Sequence, residues 1–153
     1  MTGDPSVISA LIQRAIGEQS GIQQYSIVQS LFEIQGYGKL AAFVQEQKED
    51  EQRHYHMVTR RLRELDAMPE AGIGTVEVSE DVRQILAFNN NREDEALAGY
   101  TELVRICEEV GDFVTRDLAV EILKDERDHR RDNENNLLQI NQMTVQNYLS
   151  AQL

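Results

Sequence analysis

Residues 48–58 read KEDEQRHYHMV and residues 124–129 read KDERDH. Each stretch carries a glutamate followed three residues later by a histidine: Glu51 with His54, and Glu126 with His129. A further glutamate stands 33 residues before each pair, Glu18 before Glu51 and Glu93 before Glu126. Residues three apart share a helix face, so each pair presents a carboxylate and an imidazole together. The midpoint between Glu18 and Glu51 falls beside Gly36-Tyr37-Gly38, and that between Glu93 and Glu126 beside Gly111. Glycine ends helices because it accepts the left-handed conformation. A helix running up to such a turn and one running back hold their glutamates at equal height, each roughly 24 Å from the turn at about 1.5 Å per residue. Two such hairpins side by side bring four glutamates and two histidines to one level.

The rest of the chain fits that plan. Apolar periodicity predicts helices over about 5–35, 39–66, 79–110, 112–140 and 145–152. Asp4 reads as the first N-cap with Pro5 in the first helical position, and Ser79 as the N-cap of the third helix. Residues 67–78, AMPEAGIGTVEV, hold the second proline and two glycines and form the one long connection. The expectation is an all-α fold: a single domain over 1–153, a four-helix bundle with one long crossover and a short fifth helix.

The four glutamates lie within the apolar stripes. Leu11, Ala15, Ile22 and Tyr25 share the face of Glu18, and Val44, Val58, Leu62 and Leu65 that of Glu51. Leu86, Leu97, Tyr100 and Val104 flank Glu93, and Ile122, Leu137 and Ile140 flank Glu126. Buried carboxylates must be protonated, paired or metal-bound. The nearby cations Arg53, Arg92 and Arg127 fall off the shared faces, which leaves metal as the economical answer. Carboxylates mixed with imidazoles suit iron or manganese, with zinc as an adventitious occupant. Six ligands for two ions leave positions open for dioxygen, peroxide or water. Tyr25 and Tyr100 each stand seven residues after a glutamate, placed either to give an electron or hydrogen bond or simply to pack. His56 reads as a surface residue and Cys107 as a small core residue.

Composition narrows the function classes. The net charge of −12 argues against nucleic-acid binding and suits attraction of cations. No run approaches the ~20 apolar residues of a membrane span. The N-terminus lacks a signal-peptide pattern, and one cysteine allows no intrachain disulfide, so a cytoplasmic location is expected.

The six-residue set resembles that of the ferritin-like di-metal carboxylate proteins. The opening MTGDPSVI, the stretch GDFVTRDLAVEILKDERDH and the C-terminal NYLSAQ resemble bacterioferritin over essentially the whole chain. The resemblance implies a ferroxidase that oxidises two ferrous ions per subunit, held by Glu18, Glu51, His54, Glu93, Glu126 and His129, with dioxygen or peroxide. It also implies a 24-subunit homo-oligomeric shell around a ferric mineral.

Two departures stand out. The family binds haem through a methionine directly after the second-helix glutamate; here that residue is Gln52, with polar Gln19, Gln23 and Ser26 nearby. Haem is therefore not expected in a homodimer, and a mixed shell with a haem-bearing subunit stays open. Arg63, Glu64 and the run RRDNENN after His129 are polar where apolar subunit contacts are expected. They leave open a smaller di-metal oxidase, oxygenase or peroxidase without a storage role.

Overall fold

The computed structural model describes residues 2–153. The chain is all-helical: α1 Pro5–Gln35, α2 Gly38–Glu64, α3 Val82–Val110, α4 Phe113–Met143 and α5 Val145–Ser150, with no strand among the described residues. The start of α1 is held by the Asp4 carboxylate, which accepts from the Ser6 amide at 2.9 Å, ahead of Pro5. Gly36 and Gly111 end α1 and α3 with φ of 84° and 79°, a conformation that a side chain would strain.

Other ends differ from the expectation for local reasons. Asp81, not Ser79, caps α3, accepting from the Gln84 amide at 3.0 Å. Ser79 instead accepts from the Asp81 amide at 3.0 Å, forming the turn that precedes the helix. The second helix stops at Glu64, and Asp66 takes a left-handed φ of 62°. The fourth runs on to Met143, where Thr144 at φ 72° turns the chain into the short α5.

Two antiparallel hairpins, α1–α2 and α3–α4, dock with α1 against α3 and α2 against α4. The crossover is pinned to α1: Gly74 N–H donates to Ser20 Oγ at 2.7 Å, and Glu77 N–H to Gln24 Oε1 at 3.1 Å. The core has two apolar clusters. One gathers Leu11, Val58, Leu62, Leu103, Cys107 and Ile122. The other gathers Phe32, Val44, Leu86, Ile140 and Tyr148. Each fully buried aliphatic or Phe side chain contributes about 1.5–3 kcal/mol. On every long helix a polar level falls between these clusters, and it carries the glutamates and histidines.

Candidate metal centre

The sequence places one carboxylate on each of four helices, and the bundle brings them together. Glu18, Glu51, His54 and Glu126 each offer an atom to one group whose members lie within 4.8 Å of one another. Glu51, Glu93, Glu126 and His129 form a second such group. Glu51 and Glu126 belong to both and stand between them. The six side chains are all buried, and the two imidazole centroids are 6.4 Å apart. Gly21 makes room for this: a Cβ there would sit 2.6 Å from Glu51 Oε2.

The orientation of the histidines is set from outside the cluster. His54 Nε2 lies 2.9 Å from Asp125 Oδ2, and His129 Nε2 lies 2.9 Å from Asp50 Oδ2. Each aspartate fixes the ring and the tautomer, turning Nδ1 inward; carboxylate-to-imidazole bracing of this kind accompanies metal-ligating histidines. Arg53 in turn bonds Asp125 and lies 3.6 Å from Asp50. Tyr25 Oη donates to Glu93 Oε1, and Tyr100 Oη to Glu18 Oε1.

Inside the cluster the polar atoms are left without partners. Glu18 Oε2, Glu51 Oε1, Glu93 Oε2, both Glu126 carboxylate oxygens and both inward Nδ1 atoms are buried with no hydrogen bond. His54 Nδ1 lies 2.8 Å from Glu126 Oε1 without hydrogen-bond alignment, and His129 Nδ1 lies 3.6 Å from both Glu51 and Glu93. Buried polar atoms are satisfied almost everywhere in proteins, so this concentration of inward lone pairs fits divalent cations. The oxygen and nitrogen donor set fits iron or manganese.

Electrostatics agree. Burial, then the neighbouring Glu18 and Glu93, push the Glu51 carboxyl well above its usual range. Glu126 rises for the same reasons, burial first and then Glu51 and Glu93. For His129, burial works to lower the pKa, but Glu93 and then Glu126 and Asp50 raise it to about 10. Burial and the adjacent glutamates raise both Tyr25 and Tyr100 far above the usual phenol range. The metal-free cluster thus retains protons that cations would displace.

Two crevices reach the centre. One of about 360 Å³ opens between α1 and α3, lined by Arg14, Glu18, Glu51 and Arg92. The other, of about 490 Å³, opens on the α2–α4 side and is acidic, lined by Glu46, Asp50, Asp125, Asp128, His129 and Asp132.

All six proposed ligands therefore meet at one level, and Tyr25 and Tyr100 reach it from the apolar clusters on either side. The reading from sequence missed Asp50, Asp125 and Arg53. The signal was present, because each Glu-x-x-His is preceded by an aspartate, and a ligating histidine needs an acceptor for its outer N–H. Elsewhere, His56 and Gln52 are exposed, and Cys107 is buried in the core.

A four-helix bundle with a buried carboxylate–histidine pair site defines a ferritin-like protein. The ferritin-like domain model matches residues 8–143, and the chain belongs to that family. It is 31% identical to a bacterial ferritin of Neisseria meningitidis serogroup B over the whole of both chains. It is 30% identical to a bacterial ferritin of Synechocystis sp., covering all of this chain and 99% of that one. The bacterioferritin BfrA of Mycobacterium tuberculosis superposes with a TM-score of 0.98 at 25% identity, over 100% of this chain and 97% of the other.

Proposed function

We propose that the protein is a ferroxidase and iron-storage subunit, with ferrous iron as its substrate. The observation that carries this reading is the set of seven unpartnered inward atoms on six buried side chains, braced from outside by two aspartates and two tyrosines. Glu18 with His54, and Glu93 with His129, would each hold one iron, and Glu51 and Glu126 would bridge them. A pair of ferrous ions supplies electrons to dioxygen or peroxide. The chain holds the two ions together, releases the protons of Glu51, Glu126 and His129 as they bind, and encloses the level between two apolar clusters. The acidic crevice favours arrival of cations from the α2–α4 side.

Storage requires a closed shell, and the reading includes a homo-oligomer of up to 24 subunits. The relatives named bacterial ferritin and bacterioferritin support it. So do Ile34, Phe113, Val114 and Leu153, apolar side chains that stand exposed on this subunit alone. No haem is assigned, because exposed Gln52 offers an amide in place of a thioether. No helix among the described residues is long and apolar enough to cross a membrane.

Anaerobic ferrous addition to metal-free protein, then air, tests the reading at two and at many equivalents per subunit. Near-ultraviolet absorbance follows oxidation, and size exclusion reports the particle. Fast oxidation followed by continued uptake into a large particle is expected. Oxidation that stops at two equivalents on a small oligomer would instead establish a di-metal oxidase of an organic substrate. No oxidation at all would leave a non-catalytic subunit of a mixed shell.

A further inference from the structure

One turn beyond the proposed ligands, toward the Phe32 cluster, the bundle buries a second polar layer made only of amides. Gln47 stands four residues before Glu51 on α2, Asn89 four before Glu93 on α3, and Asn133 four after His129 on α4. Gln24 on α1 completes the layer, donating from Nε2 to Asn89 Oδ1 at 2.9 Å. All four are buried: Gln24 is 1% exposed, Gln47 3%, and Asn89 and Asn133 0%. None is a proposed metal ligand.

Beyond that one bond the layer is polar without being internally paired. Asn89 Nδ2, both amide atoms of Gln47 and both of Asn133 have no hydrogen-bond partner. A buried amide with no partner is costly, and apolar residues of similar shape would pack the same space at no such penalty. Five unpartnered atoms across three helices would suit something small and polar with both donor and acceptor capacity. Water meets that description, and internal waters normally bridge buried polar groups of this kind.

The layer also has two polar ends. On the crossover side, Gln24 Oε1 accepts from Arg92 Nε at 3.1 Å and from the Glu77 amide at 3.1 Å. Arg92 lines the 630 Å³ crevice beneath Gly74 and Thr75. On the opposite side, Gln47 lines the acidic crevice with Asp50, Asp128 and Asp132. Polar groups therefore run from one face of the bundle to the other, a turn away from the centre.

We propose that Gln24, Gln47, Asn89 and Asn133 hold a file of internal water that crosses the bundle beside the metal centre and serves as its route for water exchange. The role as a route rests on the ferroxidase reading; the water site itself does not. The experiment uses the double variant Gln47→Leu/Asn133→Leu, with Asn89→Leu as a second variant should the first not fold. Oxygen-17 magnetic relaxation dispersion on metal-free full-length protein counts long-lived internal waters. The amplitude is expected to fall in the variant while helicity and thermal stability hold or rise. An unchanged amplitude means the layer is dry and overturns the proposal. Ferrous oxidation is then followed in the same variants, with cobalt(II) binding as the control for an intact ligand set. Severalfold slower oxidation with unchanged cobalt binding supports the route. Loss of the water signal with unchanged oxidation overturns the route. Absence of oxidation in the unsubstituted protein counts against the ferroxidase reading alone, because the relaxation result stands without iron.

Discussion

The two halves of the centre have matching proposed ligands and unlike surroundings. Glu18 and His54 come from the first hairpin, and Glu93 and His129 from the second. Each half is braced by the other hairpin: Tyr100 and Asp125 support the first, Tyr25 and Asp50 the second. The supports differ in quality. Asp125 is 30% exposed and bonded to Arg53, whereas Asp50 is 41% exposed and Arg53 reaches it only at 3.6 Å. His54 is fully buried, whereas His129 is 7% exposed at the edge of the acidic crevice. A repeated spacing thus produces a near-symmetric ligand set, and the environment buries one histidine fully while leaving the other at the edge of the acidic crevice.

The strongest test of the comparison removes a shared ligand. Glu126→Ala should lower affinity for the first and second cobalt(II) ion alike, by more than the ~100-fold at the upper end for outer supports. Glu18→Ala should spare one ion. Equal loss of both ions in Glu18→Ala, seen by visible absorption titration, would show that the halves are not separable. Next in size, Asp125→Asn should weaken cobalt binding by about 10–100-fold, and Asp50→Asn by less, because solvent already competes for its carboxylate. The reverse order would overturn the distinction between the two aspartates.

Acidity sharpens the comparison further. Glu51 and Glu126, raised above their usual 4.5, keep protons that the unfolded chain releases. His129, raised from 6.5 to about 10, does the same. The native state then binds more protons than the unfolded state, so stability falls as pH rises. The His129 contribution is fully present below 6.5 and is lost as pH rises through about 10. The melting temperature of metal-free protein should therefore drop between pH 6 and 10. The gap to the metal-loaded protein should widen over the same range, because loading removes those protons. Calorimetry showing a metal-free melting temperature that rises with pH would contradict this. Glu51→Gln should raise metal-free stability while removing metal binding.

The smallest effects come from the tyrosines. Tyr25→Phe and Tyr100→Phe each leave a buried carboxylate oxygen without its donor and should lower metal-free stability by about 1–3 kcal/mol. Only Tyr25→Phe is expected to slow ferrous oxidation if the phenol beside Glu93 supplies an electron. Unchanged stopped-flow kinetics in Tyr25→Phe would remove that role.

Much of the bundle and of the centre was legible because the chemistry demanded local spacing. Glu51 and His54 share a face by helical geometry alone, and Gly36 and Gly111 mark the turns that set their height. What escaped was tertiary. Nothing local to Asp50 says that it braces His129 on another helix and not His54, four residues along its own. Gly21 looks like an ordinary small residue until Glu51 leans against it. The amides at Gln47, Asn89 and Asn133 read as polar interruptions of an apolar stripe, because burial without a partner exists only once four helices meet. The N-cap of α3 escaped for a smaller reason: Ser79 and Asp81 are both good caps, and the competition between them is settled by which one the Gln84 amide reaches.

The crossed bracing has an implication for descent. Neither hairpin alone holds both a ligand and the group that orients it. Two copies of one hairpin about a twofold axis would hold all of them: two glutamate–histidine pairs, two carboxylates common to both groups, two aspartates and two tyrosines. A half-length ancestor acting as a symmetric pair could therefore already have carried a complete centre. Fusion of its gene to a duplicate would have changed only the connection, through the crossover between α2 and α3, and released each copy to diverge, one histidine gaining an aspartate clamped by Arg53 and the other keeping a more exposed one.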